Sequence, residues 1–398
     1  MSEINVRSFS NENEDGAPDL VGITTFSATS YFVPTRGTTA QRPADHVEVG
    51  SLRYNYDTKN LEFYRGDTIG WSSFDLIDPD LGGGNESNTG LGVRGIKGGG
   101  GNPSTDVIEF FTLSTTGNSQ DFGDLTASGK AQSGASSRTR GLFAASDSPN
   151  SNRIDFITIA SAGTPALDFG DVASGSQRHA NGVANQTRAL FCGGYGGSPT
   201  PGNCNVMDMV TIAVKSDTKD FGDLSYEMTN GGSCASSTRG VVAGGQNPGY
   251  VNNIDFITIS TTGSAVDSDG DLTIARRSLG GGSNSIRGIF FGGQSGPSNV
   301  NSDLTNRIDF ITIASGGDAA DFGDLTFGLN NGAINPMTGM TSATRLVMPG
   351  GTIFPFGTDV NNIIYVEIAT TGDAVDFGTL ATRGTNGPQA FSNGHGGL

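Results

Sequence analysis

The sequence predicts an all-β protein: a six-bladed β-propeller closed by its C-terminal strand and preceded by a small N-terminal β module. The first observation behind this prediction is a phrase close to D-F-G-D-L, which recurs about every 50 residues with its glycine at Gly123, Gly170, Gly222, Gly270, Gly323 and Gly378. That period suits one four-stranded propeller blade. The second is an I-D-F-I-T-I-like run in most units, since β-branched and aromatic residues fit a packed strand. Glycine is too frequent for long helices, at 62 of 398 residues.

We expect four strands, a to d, in each unit. Strand c is the I-D-F-I-T-I run, strand d surrounds D-F-G-D-L, and strand a follows it. Strand b begins at an arginine in every unit: Arg94, Arg140, Arg188, Arg239, Arg287 and Arg345. Strand a ends in glycine and serine, as in residues 231–237 and 280–285. Small side chains have a steric reason there, because inner strands of a propeller converge on a central channel.

The C-terminal stretch Ala381–Leu398 aligns with a further strand a. We therefore expect it to pair with the b, c and d strands of the first unit, which leaves no open seam between sheets. The propeller is assigned to residues 86–398, and residues 1–85 form an N-terminal arm and a β-hairpin anchor module. Alternating aromatics around a turn predict the hairpin, and the candidate anchor residues are Tyr54, Leu61, Phe63, Tyr64 and Trp71.

Bulk properties exclude several classes of partner. The formal net charge is −17, which disfavours nucleic acid because that partner needs a basic surface. The start, Met1–Ile4, lacks a basic region followed by an apolar stretch, so we expect neither a signal peptide nor membrane insertion. Cys192 and Cys234 lie on predicted strands and are interpreted as core thiols, while a Cys192–Cys204 disulfide remains open.

Sites for catalysis are not evident in the pattern. Asp267–Asp271 suggests a calcium loop, but the late glutamate of an EF-hand is missing and the segment is in register with D-F-G-D-L. Asp-Phe-Gly recurs without the other motifs of a kinase, and the three histidines lack metal-ligand spacing. We expect no catalytic, cofactor-binding or metal residues and no enzymatic activity, with a propeller glycosidase as the less favoured alternative.

Recognition is expected on the loops between strands b and c, which differ in every unit. Variable loops on a rigid scaffold commonly carry binding residues, although such variation is also simply tolerated. The candidate contact residues are Tyr195, Tyr250, Asp303, Phe354 and Phe356. The repeated arginines are interpreted as structural, pairing with the repeated aspartates between blades; a binding ring around the channel is the alternative.

Two resemblances cover most of the chain. Residues 88–398 loosely resemble kelch repeats, with the D-F-G phenylalanines in place of the kelch tryptophan. G-T-T-x-x-R-P at Gly37–Pro43 and G-x-x-R-Y-N-x-D-T-x-x-L-E-x-Y at Gly50–Tyr64 resemble a module of tailed-phage fibre and appendage proteins. The repeats and the ending Ser392–Leu398 resemble virion structural proteins of marine cyanophage-type tailed phages.

These resemblances imply a non-enzymatic virion structural protein without a cofactor, assembled in the host cytoplasm. Tail fibre, baseplate appendage and capsid decoration are all open. The N-terminal module would attach to other virion proteins, and the propeller would present a binding face, as a homo-oligomer on the particle or as a single copy. The alternative functions are a host adhesin that binds a surface glycan or receptor and, less favoured, a depolymerase.

Overall fold

The computed structural model describes residues 34–43, 47–58, 60–73, 93–101, 104–130, 133–147, 150–175, 179–196, 202–297, 303–326, 339–353, 358–381 and 389–398. The chain divides into two compact units, Met1–Asp78 and Pro79–Leu398. Both are built from β-strands, and a single 3₁₀ turn at Thr39–Gln41 is the one helical segment described. Within this part of the chain no helix has the length and apolar character needed to cross a membrane. The boundary predicted between residues 85 and 86 lies outside the described residues.

The first unit contains one sheet. Its strands, in spatial order, are β1 (Thr35–Gly37), β2 (Leu52–Asn55), β3 (Leu61–Tyr64) and β4 (Trp71–Ser73). The predicted hairpin is present, since β2 and β3 pair antiparallel with Tyr54 opposite Leu61. The five candidate anchor residues fall on two faces, because side chains alternate along a strand. Tyr54, Leu61 and Phe63 share one face, and Tyr64 lies opposite Trp71 on the other.

Glu62 is the centre of a buried polar network in this sheet. Its carboxylate is 1% exposed, forms an ion pair with Arg42, and accepts hydrogen bonds from Arg53 (3.4 Å) and Asn55 (2.8 Å). The bond from Arg42 lowers the pKa of Glu62, so the network holds a carboxylate rather than a carboxylic acid. The residues of this network, Arg42, Arg53, Asn55 and Glu62, all fall within the segments Gly37–Pro43 and Gly50–Tyr64.

The second unit contains six sheets of four or five strands among the residues described. Sheet 1 contains β5 (Arg94–Gly98), β6 (Val107–Thr112), β7 (Gln120–Asp124) and β31 (Gln389–Ser392). Sheet 2 contains β8 (Ser133–Ser136), β9 (Arg140–Asp147), β10 (Asn150–Thr158) and β11 (Leu167–Asp171). Sheet 3 contains β12 (Asn181–Ala184), β13 (Arg188–Cys192), β14 (Tyr195–Gly196), β15 (Gly202–Thr211) and β16 (Lys219–Met228).

Sheet 4 contains β17 (Gly232–Ala235), β18 (Arg239–Ala243), β21 (Asn253–Thr258) and β22 (Val266–Asp271). A separate small hairpin is formed by β19 (Gln246–Asn247) and β20 (Gly249–Tyr250). Sheet 5 contains β23 (Gly280–Ser283), β24 (Arg287–Phe291), β25 (Arg307–Thr312) and β26 (Ala320–Asp324). Sheet 6 contains β27 (Met340–Thr341), β28 (Arg345–Ile353), β29 (Thr358–Glu367) and β30 (Val375–Thr379).

The last strand of the chain completes the first of these sheets. β31 pairs antiparallel with β5, so that Ala390 lies opposite Lys97 and Phe391 opposite Ile96. The predicted pairing of the C-terminal stretch with the first unit is therefore confirmed. Sheets 2 to 6 each place their four main strands in the expected order a, b, c, d.

The arginine that opens strand b joins each sheet to the next one. In every case its Nη1 donates to a backbone carbonyl just after strand c of the following sheet, over 2.7 to 3.4 Å. The pairs are Arg94–Ile159, Arg140–Ile212, Arg188–Ile259, Arg239–Ile313, Arg287–Ile368 and Arg345–Leu113. The last pair links sheet 6 to sheet 1. The predicted pairing with the repeated aspartates is wrong, because each guanidinium group donates instead to a main-chain carbonyl oxygen of the next sheet.

The D-F-G phrase is a second connection between sheets. Its phenylalanines are buried, as with Phe221 at 3% exposure. The main-chain oxygen of Phe221 accepts a hydrogen bond from Gly263 of the next sheet at 2.8 Å. Gly170, with φ +154°, has no room for a side chain, because a Cβ there would lie 2.4 Å from the Ser216 carbonyl oxygen. The phrase therefore serves packing between sheets.

The inner strands contact one another in a cycle. β8, β12, β17, β23, β27 and β31 each contact the next, and β31 contacts β8. They approach so closely that a Cβ on Gly182 would lie 1.8 Å from the Gly134 carbonyl oxygen. This confirms the steric reason for small residues on strand a. The strands surround a cavity of about 50 Å³, which His395 also lines.

Residues 394–398 cross one end of this cavity. The Gly396 amide donates to the Ser283 carbonyl oxygen at 2.9 Å. His395 Nε2 lies 2.9 Å from the Ser136 carbonyl oxygen, and Nδ1 accepts a hydrogen bond from the Gly397 amide. This arrangement requires the neutral ring with its proton on Nε2, and burial lowers the pKa of His395 to about 4.

Candidate binding site on the loop face

The loop ends of sheets 3 and 4 depart from the repeat. β16, strand d of sheet 3, has 10 residues, whereas strand d of the other sheets has 5 or 6. β14 adds a short strand to the start of β15. The hairpin β19–β20 follows strand b of sheet 4. Because the repeated residues mainly serve the scaffold, a site is expected at these additions.

A groove of about 480 Å³ lies between these additions. It is lined by Gly202, Asn203, Cys204, Asn205, Glu227, Asn247 and Pro248. Its volume lies within the range of roughly 300 to 1,000 Å³ typical of small-molecule sites. The groove is polar, since three amides and one carboxylate account for most of its functional side chains.

The wall from sheet 3 is fixed by main-chain pairing. Asn203 lies opposite Tyr195 in the β14–β15 ladder, so the two side chains share one face. The Cys204 amide donates to the Gly194 carbonyl oxygen at 3.0 Å. Asn203 Nδ2 donates to the Gln246 carbonyl oxygen at 2.8 Å, which ties this wall to the hairpin of sheet 4.

The wall from sheet 4 is braced against sheet 5. Arg277 donates to Gln246 Oε1 at 2.6 Å and to Gln294 Oε1 at 3.0 Å. Its guanidinium lies 5.3 Å from the centre of the Tyr250 ring. The Tyr250 hydroxyl donates to the Gly296 carbonyl oxygen at 3.2 Å. The β19–β20 hairpin is therefore held in place rather than projecting freely.

The polar groups of the groove remain open for a ligand. Glu227 is exposed and Asn247 half-buried. None of the described residues forms a hydrogen bond with either side chain. Asn205 differs, because its position recurs as Asn152, Asn252, Asn306 and Asn361 in other units, and its Nδ2 lies 3.5 Å from the Leu224 carbonyl oxygen. We assign Asn205 to the scaffold.

The predicted contact residues have different positions. Tyr195 and Tyr250 are both half-buried: Tyr195 is the cross-strand neighbour of the lining residue Asn203, and Tyr250 braces the opposite wall. Asp303 closes its own loop, since its carbonyl oxygen accepts a hydrogen bond from Ser295 at 2.7 Å. Phe354 and Phe356 lie outside the described residues.

Sequence reasoning did not identify Asn203, Glu227 or Asn247. A usable signal was present for one of them. Tyr226-Glu227-Met228 continues strand d with larger side chains where the first two units turn into small residues. The remaining two could be found only by knowing which loops face each other across the seam.

The buried acids of strand c serve the scaffold. Asp255 accepts a hydrogen bond from Ser225 Oγ of the preceding sheet at 2.6 Å. Asp309 pairs with Arg276 at 2.9 Å and accepts a bond from Thr273 at 2.8 Å. Burial raises the pKa of Asp255, but its carboxyl group is enclosed between sheets and lies away from the groove.

The cysteines are all free thiols, and Cys192 and Cys234 are buried as predicted. Burial raises the pKa of both thiols. Within the described ranges no group of three or more histidine, cysteine, aspartate or glutamate side chains is arranged to hold a metal ion.

No protein-family model matches the chain, and no curated protein matches it either. The sheets and the groove are therefore the structural basis for a functional proposal.

Proposed function

We propose that this chain is a non-enzymatic structural protein of a tailed-phage particle, attached through its first unit and presenting a binding face on its second. In this proposal the second unit is a six-bladed β-propeller. The observation that carries the proposal is the cyclic series of arginine bonds, because bonds from each sheet to the next and from sheet 6 to sheet 1 support a closed scaffold for variable loops.

Three features support the propeller. The Arg345–Leu113 bond leads from sheet 6 back to sheet 1. β31 supplies the inner strand of sheet 1 from the far end of the chain. The inner strands contact one another in the same cyclic order. A ring of sheets manages exposed sheet edges and suits a protein that must persist outside a cell.

The first unit supports attachment through its apolar face. Leu52 is 46% exposed, and the neighbouring side chains of Tyr54, Leu61 and Phe63 are only partly buried. The opposite face holds the Glu62 network, so the sheet is stabilised without covering its apolar side. Exposed apolar area of this kind is typical of protein contact surfaces. Tail fibre, baseplate appendage and capsid decoration remain the candidate positions.

Immunogold electron microscopy on purified particles, with antibody against the chain, tests the location. We expect label at one defined position on the particle. Phe63→Asp should abolish incorporation by placing a charge on the attachment face, and Lys219→Asp, on an exposed strand of the second unit, should leave incorporation unchanged. Particles without label would refute the location. Normal incorporation of the Phe63→Asp protein would refute the attachment face.

A further inference from the structure

We infer that the groove between sheets 3 and 4 binds an uncharged saccharide through Asn203, Glu227 and Asn247. This role rests on the proposed function, in which the second unit presents a binding face. It adds the chemical class of the ligand and the residues that contact it.

The groove is preformed, which lowers the cost of binding. Asn203 bridges the two walls through its 2.8 Å bond to Gln246. Arg277 fixes Gln246 from the other side at 2.6 Å. A ligand therefore meets side chains that are already positioned, and little loop ordering opposes its affinity.

The polar groups match neighbouring hydroxyls. Asn247 offers two N–H donors and one acceptor, and the Glu227 carboxylate offers only acceptors. Asn203 retains its Oδ1 as an acceptor, since only its Nδ2 is used in the bond to Gln246. A sugar hydroxyl both donates and accepts, so adjacent hydroxyls can satisfy an amide and a carboxylate together.

Charge excludes anionic ligands. The groove is lined by one carboxylate and by no lysine or arginine among its described lining residues. The chain as a whole carries a net charge of −17. Phosphorylated or sulfated polymers would be repelled. A divalent cation would also lack ligands, because calcium takes about six to eight oxygen atoms.

An apolar surface lies beside these polar groups. Pro248, on the wall from sheet 4, supplies it. Tyr195, the cross-strand neighbour of Asn203, lies outside the lining of the groove. Polar groups beside a flat apolar surface suit a saccharide better than a peptide, which would need pockets for its side chains.

The test uses the purified full-length chain and a panel of defined saccharides. Saturation-transfer NMR and titration calorimetry would measure binding of neutral hexoses, N-acetylhexosamines and dextran oligomers, with heparin and hyaluronan oligomers as anionic probes. We expect binding of at least one neutral saccharide and none of the anionic ones. Asn247→Ala and Glu227→Gln should each raise Kd on the order of tenfold, as expected for one lost hydrogen bond to a ligand.

Asp106→Ala is the matched control, at the start of strand c of sheet 1, and should leave Kd unchanged. Equal thermal midpoints would show that the variants fold. Binding confined to anionic glycans, no binding to any panel member at millimolar concentration, or a Kd unaffected by both groove variants would overturn the saccharide assignment. Immunogold labelling does not depend on these titrations. Absence of glycan binding together with normal labelling of particles would therefore refute the saccharide assignment but not the proposed virion location.

Discussion

The contact between Phe391 and Gly141 tests how the C-terminal strand joins sheet 1 to sheet 2. Phe391, on β31, is 5% exposed, and its ring centre lies 4.8 Å from that of Phe143. Gly141 lies on β9. A Cβ on Gly141 would lie 2.1 Å from Cε2 of the Phe391 ring. The ring therefore fills the space that the missing glycine side chain leaves.

The magnitudes follow from this geometry. Phe391→Ala should lower the free energy of unfolding by about 3–5 kcal/mol, because it leaves a cavity in a buried seam. Gly141→Ala should lower it by about 1–3 kcal/mol, since carbon atoms normally approach to only about 3.5–4.0 Å. In the double variant the new methyl group at position 141 enters the space that the Phe391 ring has left. The loss of unfolding free energy in the double variant should therefore be smaller than the sum of the two single losses by about 1–3 kcal/mol.

Urea unfolding of the four proteins, followed by far-UV circular dichroism, measures this coupling. Tryptophan fluorescence is unsuitable, because the single tryptophan, Trp71, lies in the first unit. Gly117→Ala is the control: a Cβ there meets no atom within 4 Å, so its cost should be small. If the losses of unfolding free energy for Phe391→Ala and Gly141→Ala add up to the loss for the double variant within about 0.5 kcal/mol, the packing of β31 against sheet 2 is refuted.

Three further predictions concern stability. Arg140→Ala should lower the free energy of unfolding, measured in urea melts, by about 2–4 kcal/mol. The variant loses the charged 2.7 Å hydrogen bond to the Ile212 carbonyl oxygen and the contact with the Phe156 ring. A loss below about 0.5 kcal/mol would contradict the role of Arg140 in joining sheets 2 and 3. His395, with a folded pKa of about 4 against 6.5 unfolded, should make stability fall as pH drops from about 6.5 toward 4, by at most about 1.4 kcal/mol per pH unit. His395→Gln should remove this contribution to the pH dependence of stability. Buried carboxyl groups with a raised pKa have the opposite effect in both proteins, so the quantity to measure is the difference in stability between wild type and variant at each pH. Glu62→Gln should destabilise the first unit by about 3 kcal/mol, because it leaves two guanidinium groups without their carboxylate, and an unchanged Trp71 fluorescence melt would exclude this.

Much of the fold was predictable because the same short sequence signals recur in every unit. The repeat period predicted the succession of sheets, the β-branched residues predicted strand c, and the small residues predicted the inner strands. The partner of each arginine was not predictable. Arg140 reaches Ile212 across a seam whose width depends on packing, whereas the charge pattern alone favoured an aspartate.

The candidate site was predicted only in outline. Loop variation drew attention to the region of Tyr195 and Tyr250. It could not show that Tyr250 would be used internally, by stacking against Arg277. Nor could it pair Asn203 with Asn247, because their proximity arises only when sheets 3 and 4 stand side by side.

The place of β31 in sheet 1 has a consequence for synthesis. β5 pairs with β6 on one side, but its partner on the other side, β31, emerges from the ribosome only after the other described strands of the second unit. Until then one edge of sheet 1 stays unpaired and is open to strands of neighbouring nascent chains. Strand swapping between nascent chains is therefore a specific hazard of this chain order.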